Sequence, residues 1–179
     1  MDEAHHHVLD ADPLKTERIG GVVYSMAAGT FEHADVITNT IAALGAFFKD
    51  RGIHCKPYTS ELEIHFDAEN IYRPDISVIC DFSKRRHNGY FGVPALIVEV
   101  LSPSTASRDR VEKYANYEKY GVPEYLIISP EYVTVDQYVL VDGAFRLQAI
   151  HFKRGTKFDS HSFGGLQLLL DDLFDYWRE

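Results

Sequence analysis

The sequence predicts an α/β fold with a mixed β-sheet flanked by helices, and three observations carry that prediction. Residues 95–101, ALIVEVL, form an apolar run that reads as a strand buried on both faces. A helical stretch of about 105–120 and the strand EYLIIS at 124–129 follow directly, which implies a right-handed crossover and a parallel pair. Beyond them, TVDQYVLV and AFRLQAI flank Asp142-Gly143, a two-residue turn that adds a C-terminal β-hairpin.

The elements follow in order. Residues 1–16 show no period and are expected to form a flexible tail, with the consecutive His5, His6 and His7 as part of it rather than a site. RIGGVVYSMA, 18–27, suggests a first hairpin turning at Gly20-Gly21. Ile37, Ile41, Leu44 and Phe48 are spaced by four, three and four, so a helix is expected from about Phe31 to Asp50, stopping at Gly52. ELEIHF, 61–66, alternates as a half-buried strand with Glu61, Glu63 and His65 on its polar side. IYRPDISVIC, 71–80, reads as the next strand with Pro74 near its start, and the polar segment 81–94 as a mobile loop. Ser102 to Thr105 offer caps for the helix that Gly121 and Pro123 end. A short amphipathic helix at about 170–177 closes a single domain spanning 17–179.

Composition narrows the classes. With 179 residues, 45% of them hydrophobic, the chain is long enough to bury a substantial core. No run approaches the roughly 18 apolar residues of a membrane helix, and the N-terminal stretch does not read as a signal peptide, so cytoplasmic residence without a membrane partner is expected. Cys55 and Cys80 suggest neither a disulfide framework nor a zinc spacing, and Cys80 reads as a small buried hydrophobe. The formal net charge of −9 argues against a generic DNA-coating protein. Two basic clusters, Lys84-Arg85-Arg86 and Arg108, Arg110, Lys113 and Lys119, read as solvated faces when taken alone.

The chemistry concentrates on Glu99, an acid in the middle of the apolar strand. A carboxylate there loses hydration at a cost on the order of several kcal/mol unless a cation compensates it. Asp75, after Pro74, can converge with it if the two strands are neighbours. Two such oxygen donors, completed by water and a phosphate, suit Mg²⁺. A nearby lysine would stabilise developing charge, and Lys113 is the best placed. The plainer alternatives are a turn acid at Asp75, a structural ion pair from Glu99 to Lys113 or Arg110, and a surface lysine at 113.

Pro74-Asp75, a spacer, the strand bearing Glu99, then SPST and a helix resemble the PD-(D/E)XK nuclease superfamily. Within it, PDISVI and PALIVEVLSPSTASRDRVEKYANYEKYGVPEYLIISPE resemble the Uma-type group of restriction-endonuclease-like proteins over roughly residues 17–175. The resemblance implies a restriction-endonuclease-like core and phosphodiester hydrolysis on DNA with Mg²⁺, or Mn²⁺ in its place. It makes Asp75 and Glu99 metal ligands and Lys113 the third catalytic residue. The superfamily expects lysine two residues after the glutamate, where this chain has Leu101; the Uma-type group supplies it from the next helix. Accessory candidates are Glu63, at an acidic position of the pattern, and His33, which opens the first long helix and could equally cap it. Ser102 could meet a phosphate at the helix start. Arg108 and Asp109 are site-edge residues or a surface pair. Tyr114, Tyr117 and Tyr120 read as packing. A homodimer is expected because cutting both strands of a duplex benefits from two-fold symmetry. The rival readings are a catalytically silent nuclease fold that binds DNA or serves a mobile element, and a structural oligomer with a buried ion-pair network.

Overall fold

Residues 15–26 and 28–178 are described by a computed structural model. The expected tail, with its three histidines, therefore lies outside the described residues, except that Thr16 already opens a strand. The chain begins with β1 (Thr16–Ile19), β2 (Val22–Ser25) and helix α1 (Phe31–Asp50). Short strands follow: β3 (Lys56–Thr59), β4 (Ile64–His65), β5 (Ile71–Tyr72), β6 (Ile76–Ile79), β7 (Arg85–Arg86) and β8 (Gly89–Tyr90). Then come β9 (Leu96–Val100) and a continuous helical segment of α2 (Ala106–Arg108), a π-helical turn (Asp109–Lys113) and α3 (Tyr114–Tyr120). β10 (Glu124–Ser129), β11 (Thr134–Val141), β12 (Ala144–His151), β13 (Lys157–Asp159), β14 (Gln167–Leu169) and α4 (Leu170–Leu173) complete the order, with a 3₁₀ turn at Asp175–Arg178.

The main sheet runs β12-β11-β10-β9-β6-β3. Its β9–β10 pair is parallel, as the crossover requires, and its other pairs are antiparallel. This is the mixed sheet of the predicted α/β class, and the β11–β12 hairpin turning at Asp142-Gly143 extends one side of it. A second sheet, β2-β1-β5-β4-β8-β7, is assembled from the short strands.

β9 divides the core. Leu96, Val98 and Val100 face one cluster with Leu44 and Phe48 of α1 and Leu170 of α4. Ile97, with Leu101 at its fringe, faces the other, among Tyr72, Tyr117, Tyr125 and Ile127. Glu99 shares this second face by the two-residue period of a strand. The buried face of α1 is Val36, Thr40, Leu44 and Phe48, while Ile37 and Ile41 flank it half-buried. Thr40 is tolerated there because its hydroxyl donates back to the Val36 carbonyl at 2.7 Å.

Four expectations are corrected. The segment 71–80 is not one strand, because Pro74 has no N–H for a ladder and the Arg73 N–H donates to Glu17 Oε1 at 2.8 Å. β5 and β6 consequently belong to different sheets. The alternating 61–66 stretch keeps only Ile64–His65 as strand, and the loop 81–94 contains a 3₁₀ turn and a small hairpin anchored by the buried Tyr90.

The fourth concerns Cys55 and Cys80, which form a disulfide. β3, not foreseen in the sequence, pairs Lys56 with Ile79, so the next residues outward, Cys55 and Cys80, stand opposite each other with Cα atoms 4.2 Å apart. Closing a loop with a sequence separation of 25 ties the edge strand to the sheet and contributes about 3 kcal/mol on chain-entropy grounds. Reduction, or Cys55→Ser, is expected to lower the melting temperature by roughly 6–12 °C. An unchanged melting temperature on reduction would show that the bridge contributes nothing.

Candidate active site

The register that builds β6 against β9 also brings the two strand acids together. Ile76 pairs with Val98, so continuing the ladder by one residue sets Asp75 opposite Glu99 on the same face. Pro74 ends the ladder there, and the Asp75 side chain completes it: Oδ2 accepts from the Val100 N–H at 2.7 Å. The Asp75 N–H points at Glu99 Oε2 from 3.5 Å, a long contact.

The other Glu99 oxygen is held from the helical segment. Lys113 Nζ lies 3.0 Å from Oε1 and the Tyr117 hydroxyl donates to the same atom at 2.8 Å. Lys113 also contacts Glu17 Oε2 at 3.1 Å and Asp109 Oδ1 at 3.3 Å. One ammonium thus faces three carboxylates, all of them buried. Asp109 Oδ1 lacks good hydrogen-bond geometry despite that short approach.

Two local features make this possible. The π-helical turn spans Asp109 to Lys113 and adds a residue to the helix cycle, a distortion frequent at functional sites. β1 carries Glu17 inward beside the buried Ile19.

Titration follows burial and charge. Loss of solvent pushes the Glu99 carboxyl well above the ordinary carboxylate value, against the pull of Lys113, and Asp109, Asp75 and Glu17 push in the same upward direction. Burial also raises Asp109. For Lys113, burial alone favours the neutral amine, but the attraction of Glu99, Glu17 and Asp109 outweighs it and the group titrates well above an ordinary lysine. Lys113 is therefore an ammonium throughout the physiological range. Burial, reinforced by Glu99, raises the Tyr117 phenol, which stays a donor.

His33 stands at the solvent edge, its Nε2 3.4 Å from Asp75 Oδ2, with side chains 17% and 13% exposed. Burial works against its protonation, but Asp75 and the Val100 backbone outweigh that, and its pKa is raised. A solvent-facing cleft opens on each side of the ring. One, about 530 Å³, is lined by Asp75, Lys15, Thr59 and Ser60 among others. The second, about 360 Å³, is lined by Leu101, Ser102, Pro103 and Tyr132 among others. They share Thr30 and His33.

The structure therefore brings together Asp75, Glu99, Lys113 and His33, and places Ser102 on a neighbouring cleft with its hydroxyl 3.1 Å from those of Ser104 and Thr105. Glu63 is not part of the group: Arg73 Nη2 holds it at 2.8 Å and His65 Nε2 at 2.9 Å. The second basic cluster does not form one charged face, since Lys113 is buried, Arg110 pairs with Asp136 at 2.6 Å and Arg108 lies over the Tyr24 ring. Sequence reading missed Glu17 and took Tyr117 for packing alone. The signals were Glu17 sharing a strand face with Ile19, and Tyr117 one helical turn after Lys113.

Among the described residues, no group of three or more His, Cys, Asp or Glu side chains is arranged as a metal cage. The donors present fit a different arrangement. Two hard carboxylates set opposite each other on neighbouring strands are donors of the kind a hard divalent ion takes alongside water. The residues that would hold it are Asp75 and Glu99.

Relatives share much of this chain. The uncharacterized protein slr1290 of Synechocystis sp. (strain ATCC 27184 / PCC 6803 / Kazusa) is 35% identical over 126 residues, which are 69% of this chain and 65% of that protein. The uncharacterized protein sll1609 of the same strain is 29% identical over 128 residues, 69% of this chain and 71% of that one. A crystal structure from Anabaena variabilis ATCC 29413, described as "a putative nuclease belonging to DUF820", shares the fold at a TM-score of 0.74, with 90% of each chain covered and 21% identity. A family model, Uma2, described as "Putative restriction endonuclease", matches residues 2–171. The chain belongs to the Uma2 family.

Proposed function

We propose that this chain is a divalent-metal-dependent DNA endonuclease hydrolysing phosphodiester bonds, with Mg²⁺ as the ion and Mn²⁺ able to replace it. The observation that carries the reading is the meeting of Asp75, Glu99 and Lys113 at the end of adjacent strands, with Lys113 Nζ 3.0 Å from Glu99. Bound between Asp75 and Glu99, the ion would polarise a phosphoryl oxygen and lower the pKa of water. Lys113 supplies a permanent positive charge that can offset charge developing on the phosphate. Tyr117 fixes Glu99 through Oε1, leaving Oε2 on the Asp75 side. His33 Nε2 lies 3.4 Å from Asp75 Oδ2 on the solvent side, where it could meet a phosphate.

The nuclease domain of this proposal spans 17–179 and acts as a homodimer, which presents one site to each strand of a duplex. We place it in the cytoplasm, where a reducing poise would open the Cys55–Cys80 bridge. That bridge follows β6 whereas Asp75 precedes it, so the carboxylates are at the far end of the strand.

A second reading, a silent nuclease fold that still binds DNA, is favoured by one observation. Lys113 is already engaged by Glu99, Glu17 and Asp109. Cleavage separates the two. Supercoiled plasmid and single-stranded circular DNA are incubated with Mg²⁺ or Mn²⁺ and wild type, Glu99→Gln or Lys113→Met. Wild type is expected to cleave, and each variant to lose about 10²-fold or more. Binding without cleavage under both ions establishes the silent reading instead.

Metal binding is also visible without turnover. Saturating Mg²⁺ at about 100 times its Kd is expected to stabilise the wild type by roughly 2.7 kcal/mol. The corresponding rise in melting temperature should be absent from a variant carrying both Asp75→Asn and Glu99→Gln. Equal rises in both proteins would place the ion elsewhere.

A further inference from the structure

The second cleft beside His33 differs in chemistry from the site it adjoins. Its floor is apolar, with Leu101, Pro103 and Pro130, and Tyr132 stands at its margin with 70% of its surface exposed. Glu32 and Glu131 also line it, and its arginine, Arg110, is already paired with Asp136. Apart from His33 at the shared edge, its charged side chains are acidic or already paired, which favours a neutral group over a phosphate. The lining suits a flat, neutral group that can stack on an aromatic ring and donate amino hydrogens to carboxylates.

The turn that presents Tyr132 is strained. Val133 has φ of 52°, a left-handed conformation that a β-branched residue adopts only when the surrounding structure imposes it. Phe31, 87% exposed, lies between the lining residues Thr30 and Glu32 in the chain. The cleft meets the candidate active site at His33, and its volume of about 360 Å³ is at the small end of ligand pockets.

We propose that this cleft receives one unstacked nucleobase of the substrate strand, with Tyr132 as its stacking platform, so that the scissile phosphate is presented from DNA that is locally unpaired. The inference rests on the nuclease reading and names its substrate class. A paired base cannot enter, because its amino groups and faces are already committed within the duplex.

The test is binding, measured with divalent ions withheld so that nothing is cut. A short single-stranded oligonucleotide carrying a fluorescent adenine analogue is titrated with the full chain, and then the same strand annealed to its complement. Wild type is expected to bind the single strand more tightly and to change its fluorescence. Tyr132→Ala should weaken that binding roughly tenfold at an unchanged melting temperature, and Tyr132→Phe should retain it. Equal binding of single strand and duplex, equal binding by Tyr132→Ala, or no binding by wild type overturns the proposal. Cleavage reports separately: a protein that binds through Tyr132 but never cuts refutes the nuclease reading and leaves the base cleft standing, whereas cutting that is indifferent to Tyr132 does the reverse.

Discussion

A lysine ammonium enclosed by three carboxylates governs how the strand ends of this fold are organised. Removing an ion from water costs several kcal/mol even after relaxation, so Lys113 can be buried only because Glu99, Glu17 and Asp109 lie within 3.3 Å of it. Those partners come from β9, β1 and the helix itself. The charge cluster therefore acts as a clamp between the main sheet, the small sheet and the crossover helix. It is unbalanced as a clamp, with acids outnumbering the base, and the imbalance distinguishes it from an ordinary buried ion pair.

Irregularity is what makes the geometry available. Pro74 interrupts a strand so that Asp75 can turn its carboxylate onto the Val100 N–H, a backbone group the ladder would otherwise have used. The π-helical turn lets Asp109 and Lys113 address the same pocket while Tyr117, a turn later, reaches Glu99. In each case a regular hydrogen-bond pattern gives way and a side chain or a neighbour satisfies the freed group.

Much of this was legible in the sequence where a pattern was local. Helix 31–50, the turn at Gly20-Gly21, the parallel pair around Glu99 and the Asp142-Gly143 hairpin each rest on periodicity or turn chemistry over a few residues. The family resemblance extended that to Asp75, Glu99, Lys113 and His33, which the structure gathers at one place. What escaped was decided by distant partners. β3 has no alternation of its own and exists because β6 pairs with it, and the disulfide depends on that pairing. Glu17 becomes a buried partner only when β1 docks against β5 and Arg73 takes its other oxygen. Glu63 lies just outside β4, and no local pattern could reveal that Arg73 would engage it.

Glu17 has a consequence for the order of events in making this protein. Its carboxylate meets an ammonium 96 positions further along the chain, at Lys113. Contacts of such separation form only after the chain between them has been synthesised and its loop-closure entropy overcome. No shorter stretch than 17–113 holds the whole charge cluster, and the β1–β2 hairpin, which precedes the crossover helix in the chain, contributes its acid only when that helix has docked. A growing or half-folded chain is thereby without the completed site. Completion of the charge cluster is a property of the finished fold and not of any early hairpin.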